Sequence, residues 1–422
     1  MKAVKSDTAF QKEGYKKTKL GWIPENWEVK ALGDCTSYIK GFAFKSKDYK
    51  SEGVRVIRIS DTNANSIKKI NGIYISIENA HLYSKWKLKK NDLIFTTVGS
   101  RPPLYESMVG KVIKVTQENE NSLLNQNAVI IRGNGMISQK LLLYFFKQKR
   151  YLNHIEAIVR GNANQVSITL KELFKFTLPI PPLPEQQKIA SILNTWDKAI
   201  DAQEQLIAQK QELKKGLMQQ LLTGKKRFDG FSEDWEEVRL NELVKINPKG
   251  EDLPKEFNYI SLESVKNGLL KSTLALNKTN APSRAQRVLQ RDDVLFQTVR
   301  PYQMNNYYFD LAGNYVASTG YAQLRCSSEI AKFVYYLIHT EQFVNKVLSR
   351  CTGSNYPAIN PSSLGKIKIR IPMSKSEKLM ISDLLTDVDE ELNNLLKKTN
   401  QYIEQKQGLM QQLLTGQKRV RV

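Results

Sequence analysis

The sequence predicts a mixed α/β (α+β) protein: two similar globular domains joined by two long antiparallel helices, together forming a pseudo-two-fold internal repeat. Three observations lead there. The nonapeptide GLMQQLLTG occurs at residues 216–224 and again at 408–416, an offset of 192. Upstream of both copies the apolar residues keep a heptad spacing, with Ile189, Leu193, Trp196 and Ile200 matched at that offset by Ile381, Leu385, Val388 and Leu392. Earlier in each half, NDLIFTTV (residues 91–98) resembles DDVLFQTV (residues 292–299), and both read as a turn followed by a β-branched, half-buried strand.

The elements follow in chain order. The first half opens on Trp27 and Leu32 after the pair Gly21-Trp22; the second opens on Trp235 and Leu240 after Gly230-Phe231. Beyond the shared strand the loops diverge, GSRPPLYESMVG from Gly99 against RPYQMNNYYF from Arg300. Each half then reads as one helix, residues 138–159 and 328–349, closed by a polar glycine loop at Gly161 and Gly353. Prolines in LPIPPLPEQ stiffen the approach to the first long helix, and Pro184 sits where a missing N–H costs nothing. The long helices are expected over residues 185–222 and 377–414, 38 residues each. At about 1.5 Å per residue each would reach roughly 57 Å.

Gly224 and Gly416 suit left-handed C-terminal caps, and the basic residues that follow, Lys225, Lys226 and Arg227, then Lys418 and Arg419, complement the helix dipole. Gly216 and Gly408 weaken the last turns and mark places for a bend. Gln203, Lys210, Lys214 and Lys406 interrupt the apolar pattern. The resulting divisions are a globular part at 1–178, a helix at 179–225, a second globular part at 226–371 and a second helix at 372–422.

Composition supports this reading and narrows the partners. A chain of 422 residues exceeds one ordinary core, and 41% hydrophobic with 9% aromatic residues is enough to bury several. Lys and Arg number 64 against 42 Asp and Glu, and the net charge of +22 points to nucleic acid as the default partner, while the repeat lets two similar halves present basic loops to one stretch of double-stranded DNA. No stretch approaches the roughly 18 apolar residues of a membrane span, and the first residues lack a signal-peptide core, so a cytoplasmic location without membrane contact is expected. Cys35, Cys326 and Cys351, like His81, His154 and His339, are isolated in sequence and are expected to pack rather than to bind metal.

Catalytic motifs are missing where a DNA enzyme would show them. There is no Asn/Asp-Pro-Pro-aromatic tetrapeptide for amino-methyl transfer and no G-x-x-x-x-G-K-[ST] phosphate loop. The acidic runs Asp292-Asp293 and Asp389-Glu390-Glu391 read as a turn and a solvated helix face rather than a Mg²⁺ site. A non-catalytic chain without a cofactor of its own is expected.

LGWIPENWEV from Leu20, IPPLPEQQKIASIL from Ile180 and GLMQQLLTG before a basic tail resemble the motifs of Type I restriction-modification specificity subunits, over nearly the whole chain. The resemblance implies two target-recognition domains that read a bipartite DNA site and helical spacers that bind two methyltransferase subunits, with restriction subunits joining in the full prokaryotic complex. S-adenosylmethionine, ATP and Mg²⁺ would then belong to those partners. One departure is IRIPMSKSEKLMISDLL from Ile369, which lacks the PPLPEQ spelling at the second helix start. Ile192, Trp196, Ile200, Ile207, Leu385, Val388, Leu392 and Leu395 are assigned to the helical rod and its partner surface.

Base reading in the major groove uses Arg on guanine and Asn or Gln on adenine, while Lys, Ser and Thr hold phosphates. That chemistry selects Lys45, Lys47, Thr97, Ser100, Arg101, Arg160, Asn162, Asn164 and Gln165 in the first half. In the second it selects Lys249, Thr298, Arg300, Tyr302, Gln303, Arg350, Ser354, Asn355 and Tyr356. Two other readings compete: a basic DNA-binding regulator, for which no short helix-turn-helix is evident, and a coiled-coil scaffold, which leaves the basic globular halves unexplained.

Overall fold

The computed structural model describes residues 13–69, 72–102, 104, 107–161, 166–249 and 252–422. The chain divides into two compact units, the first made of Met1–Asp201 with Asn400–Val422 and the second of Ala202–Thr399. Each long helix contributes to both. The first runs Leu183–Leu221 over 39 residues and the second Lys375–Leu414 over 40, each starting two residues ahead of the sequence expectation. Gly216 and Gly408 leave both helices α-helical, so the glycines weaken the last turns without ending them.

In unit one a four-stranded antiparallel sheet has the order Thr36–Lys40, Ala128–Gly133, Leu93–Thr96, Val112–Lys114. Leu93–Thr96 is buried at every position. Its alternation sends Leu93 and Phe95 into a core with Leu141, Phe145 and Leu193, while Ile94 faces a second cluster with Ile57, Leu88 and Ile130. A two-stranded pair, the largely half-buried Glu28–Ala31 with the mostly buried Thr177–Ile180, leads directly into the first long helix.

Unit two repeats the plan. Its first sheet has the order Lys245–Ile246, Tyr321–Arg325, Val294–Gln297, Tyr307–Tyr308. Val294–Gln297 is again wholly buried. The pair Trp235–Arg239 with Lys368–Pro372 precedes the second long helix. Asp92 and Asp293, each one residue ahead of the buried strand, take two-pronged bonds from Arg132 at 2.6 and 2.7 Å and from Arg325 at 2.7 and 2.8 Å. Asp293 is therefore an ion-pair partner inside the turn that the sequence suggests.

The single helices expected at 138–159 and 328–349 are each two helices. Gln139–Phe146 is followed by Lys149–Ile158, and Ser328–Leu337 by Glu341–Leu348. Thr340 explains the second break: its hydroxyl donates to the Leu337 carbonyl and accepts from the Phe343 N–H, closing one helix and capping the next.

Within each unit the two long helices run antiparallel. In unit two, Lys210 meets Glu391 at 2.8 Å and Lys214 meets Asp389 at 2.6 Å, beside a cluster of Ile207, Val388 and Leu392. In unit one, Lys406 pairs with Asp197, and the Trp196 ring packs edge-on against Tyr402. The lysines that interrupt the heptads are thus the partners of carboxylates on the opposing helix. Asp389 corrects part of the solvated-face reading of that acidic run, its half-buried carboxylate being directed across the helix pair, whereas Glu390 and Glu391 are exposed. The nonapeptides end by inserting leucines into the heads, Leu221 and Leu222 into unit two's core, Leu413 and Leu414 into unit one's. Gly224 and Gly416 then adopt φ of 71° and 70°, the left-handed caps expected of them.

Candidate nucleic-acid interface

In unit one, two of the three candidate segments, those after Lys40 and after Thr96, leave the four-stranded sheet at one edge, and the third begins at Arg160. Lys40 pairs with Val129 and Thr96 with Ala128, so the loop after Lys40, the loop after Thr96 and the turn before Ala128 lie together. The Phe42 N–H donates to Leu124 O, and Phe44 is buried against Val56, Ile75 and Leu123, which anchors the first loop and leaves Lys45 and Lys47 exposed. Thr97 is half-buried, its N–H bonded to Asn127 O at 2.9 Å. Ser100 shares a 2.8 Å hydroxyl bond with Ser107, and Arg101 is exposed.

Val98–Gly99 pairs with Val166–Ser167, and the exposed Arg160 bridges to Ser167. The structure therefore brings the second and third segments side by side. Asn162, Asn164 and Gln165 lie outside the described residues.

The corresponding edge of unit two carries the other set. Asn247, left-handed at φ 48°, bonds Gln323 in both directions and leads to an exposed Lys249. Thr298 is buried, its N–H and hydroxyl both bonded to Gly320 O, which makes it a structural anchor. Arg300 N–H donates to Pro357 O and Ile359 N–H to Thr298 O, joining the segment 298–303 to the loop 350–358. The second bond has its counterpart in unit one, where Ile168 N–H donates to Thr97 O. Tyr302, Gln303, Arg350, Ser354, Asn355 and Tyr356 are exposed around this junction.

One organiser escaped the sequence reading. Gln297, 3% exposed, accepts at Oε1 from the Asn305 N–H and donates from Nε2 to Val299 O and Gln303 Oε1, while its own N–H donates to Asn306 Oδ1. It fixes the loop 299–306 from beneath. A glutamine inside an apolar strand, where the other half has Thr96, was the signal available.

The assigned rod positions face inward. Leu385 lies in the unit-two head core, Ile207, Val388, Leu392 and Leu395 pack together, and Ile192 borders the unit-one core. Ile200 is buried, and Trp196 is half-buried against Tyr402. The exposed large apolar residues of the long helices are instead Leu183 in unit one and Leu213, Met380 and Leu396 in unit two. Among the described residues no helix is long and apolar enough to cross a membrane, and no three His, Cys, Asp or Glu side chains are grouped to hold a metal.

Sequence comparison bears on what these edges serve. A type I restriction enzyme specificity subunit of Methanocaldococcus jannaschii, MjaX, is 26% identical over 429 residues, covering 98% of both chains. The MjaVIII specificity subunit of the same organism is 24% identical over 450 residues, covering 98% of this chain and 97% of its own. The fold matches the crystal structure of the Type-I restriction-modification system S subunit from M. genitalium with a TM-score of 0.61 at 16% identity, over 92% of this chain and 96% of that one. The family model for the Type I restriction modification DNA specificity domain fits twice, at residues 24–212 and 232–405. Each fit takes in one globular head and most of one long helix, so the internal repeat is a repeat of this domain, and the chain belongs to the Type I restriction-modification DNA specificity family.

Proposed function

We propose that the chain reads a bipartite DNA site for a Type I restriction-modification complex and carries no catalytic centre of its own. The observation that carries the reading is the pair of equivalent sheet edges, built on the same buried strand and the same Ile-to-Thr loop bond, yet displaying different side chains. Equal frames with unequal surfaces suit two recognition domains for two half-sites. The net charge of +22 supplies the phosphate attraction that any such reader needs.

Residues 1–178 and 226–371 are the two readers, and the segments 179–225 and 372–422 set the gap between half-sites. Two methyltransferase subunits dock on the helices, for which Leu183, Leu213, Met380 and Leu396 are the accessible apolar positions, and restriction subunits join them. Those partners bring S-adenosylmethionine, ATP and Mg²⁺.

Exchange of residues 226–371 for the matching part of a relative, followed by methylome sequencing of the host, tests the division. One half-site should change while the other half-site and the gap stay as they were. Inserting one heptad into both helices should add about 10 Å per helix and widen the gap alone. A swap that rewrites both half-sites would overturn the modular reading.

A further inference from the structure

Among the described residues, the positive-φ positions other than glycine are Asn or Asp with two exceptions, Arg300 at φ 53° and Met304 at φ 51°. A left-handed backbone is costly for such side chains and is held only where the surroundings enforce it. Here the two flank the short turn Pro301–Gln303, tied down from below by Gln297. The Arg300 guanidinium stacks over the Tyr356 ring with Cζ 4.3 Å from the centroid, and Tyr356 is itself 65% exposed. Its Nε is shielded from solvent and has no hydrogen-bond partner, and the side chain makes no ion pair among the described residues.

This is a planar donor fork, held over an aromatic face with its Nε left unsatisfied, at the edge proposed for DNA. Arg offers the geometry that matches guanine O6 and N7 at once, and stacking reduces the freedom lost when it does so. The equivalent position in unit one is Gly99, where a Cβ would collide with the Ser107 carbonyl oxygen, so no side chain fits there.

Resting on the reading of the chain as a bipartite DNA recogniser, we infer that Arg300, positioned by Tyr356, specifies a guanine in the half-site read by unit two, and that unit one has no counterpart at this position. Arg300→Gly tests it, because glycine accepts the left-handed backbone and removes only the fork. The full chain, expressed with its own methyltransferase subunits, is followed by methylome sequencing. One G·C position in one half-site should become degenerate, with discrimination there falling roughly 5- to 150-fold, while the other half-site and the gap are retained.

Arg300→Lys keeps the charge without the fork and should lose the same letter. Tyr356→Leu should keep the guanine and lower the methylated fraction at every site. A uniform drop in methylation with an unchanged motif in Arg300→Gly would assign Arg300 to phosphate and overturn the inference, as would an unaltered methylome. Should the wild-type chain itself direct no bipartite methylation, the parent reading fails instead.

Discussion

Glu185 and Arg419 lie 234 residues apart and form a two-pronged ion pair at 2.7 and 2.9 Å, and Glu377 with Arg227 forms the same pair at 2.8 and 2.7 Å in the other unit. Both glutamates begin a long helix, and both arginines follow a nonapeptide. The units differ in the tryptophan beside the pair. Trp27 Nε1 donates to Glu185 at 2.9 Å, whereas Trp235 Nε1 is buried without a partner. Glu185→Ala would orphan an indole N–H and a guanidinium together, and is expected to cost about 2–4 kcal/mol. Glu377→Ala should cost less; urea titrations of the two variants that reversed this order would show that the tryptophan bond contributes nothing.

The carboxylate pairs within the helices link three elements each. Asp389 accepts from Tyr336 at 2.9 Å and from Lys214, and Asp197 accepts from Tyr144 at 2.7 Å and from Lys406. Burial works against the charged form of Asp197, but the bonds from Lys406 and Tyr144 and the charge of Lys147 outweigh it and hold its carboxyl below the usual value. Tyr144→Phe and Tyr336→Phe should each destabilise by about 1–2 kcal/mol. A double-mutant cycle of Tyr336→Phe with Asp389→Asn should show coupling; additive effects would mean that the bond is not formed in solution.

Backbone conformation separates four glycines. Gly216→Ala and Gly408→Ala place a methyl in open space on a helix, and each should stabilise by about 0.5–1 kcal/mol. Gly224→Ala and Gly416→Ala force a Cβ onto left-handed backbone, and at Gly416 it also collides with the Pro24 ring, so both should destabilise, Gly416→Ala more. Thermal melts of the four variants order them directly.

Acid should weaken unit two through His339. Burial pushes its imidazole down to about 4, with Lys214 adding to the effect. Nδ1–H donates to Tyr335 O at 2.6 Å, which leaves Nε2 to accept from the Asn306 amide at 3.4 Å. Between pH 6.5 and 4 the unfolded chain takes up a proton that the folded chain refuses, so stability is present at neutral pH and falls as pH drops through that window. His339 is half-buried, lining a groove with Met304, Tyr335 and Tyr336, and a loss of about 1–3 kcal/mol is expected. His339→Gln should flatten the dependence of Tm on pH between 7 and 5; an unchanged slope would remove His339 as its source.

The repeat made much of the fold legible. A nine-letter identity places the helix ends, and the Asn91 and Asp292 turns mark the buried strands, because these features are local and repeat in sequence. Other features depend on residues far apart. Lys214 reads as a break in an apolar heptad until Asp389, 175 residues on, is seen beside it. The split at Thr340 hides inside an unbroken apolar periodicity, since one hydroxyl decides it. For the candidate interface, residue chemistry selected the loops, but nothing in RPYQM reveals that Arg300 is left-handed or that Thr298 is buried.

Unit two is one continuous stretch of chain, while unit one needs Asn400–Val422 to come back to its first two hundred residues. At Gly416 that return is intimate: Tyr15 donates its hydroxyl to the Gly416 carbonyl at 2.9 Å, and Leu413 and Leu414 fill the head's core. Such contacts, some 400 residues apart in sequence, are slow to form because loop closure precedes any gain. During synthesis, at about 5–20 residues per second, the second unit can complete itself while the first, although begun earlier, still exposes the apolar slot meant for those leucines. The order of translation and the order of completion are therefore opposite, and residues that follow the whole of the second unit act as the clasp of the first unit begun.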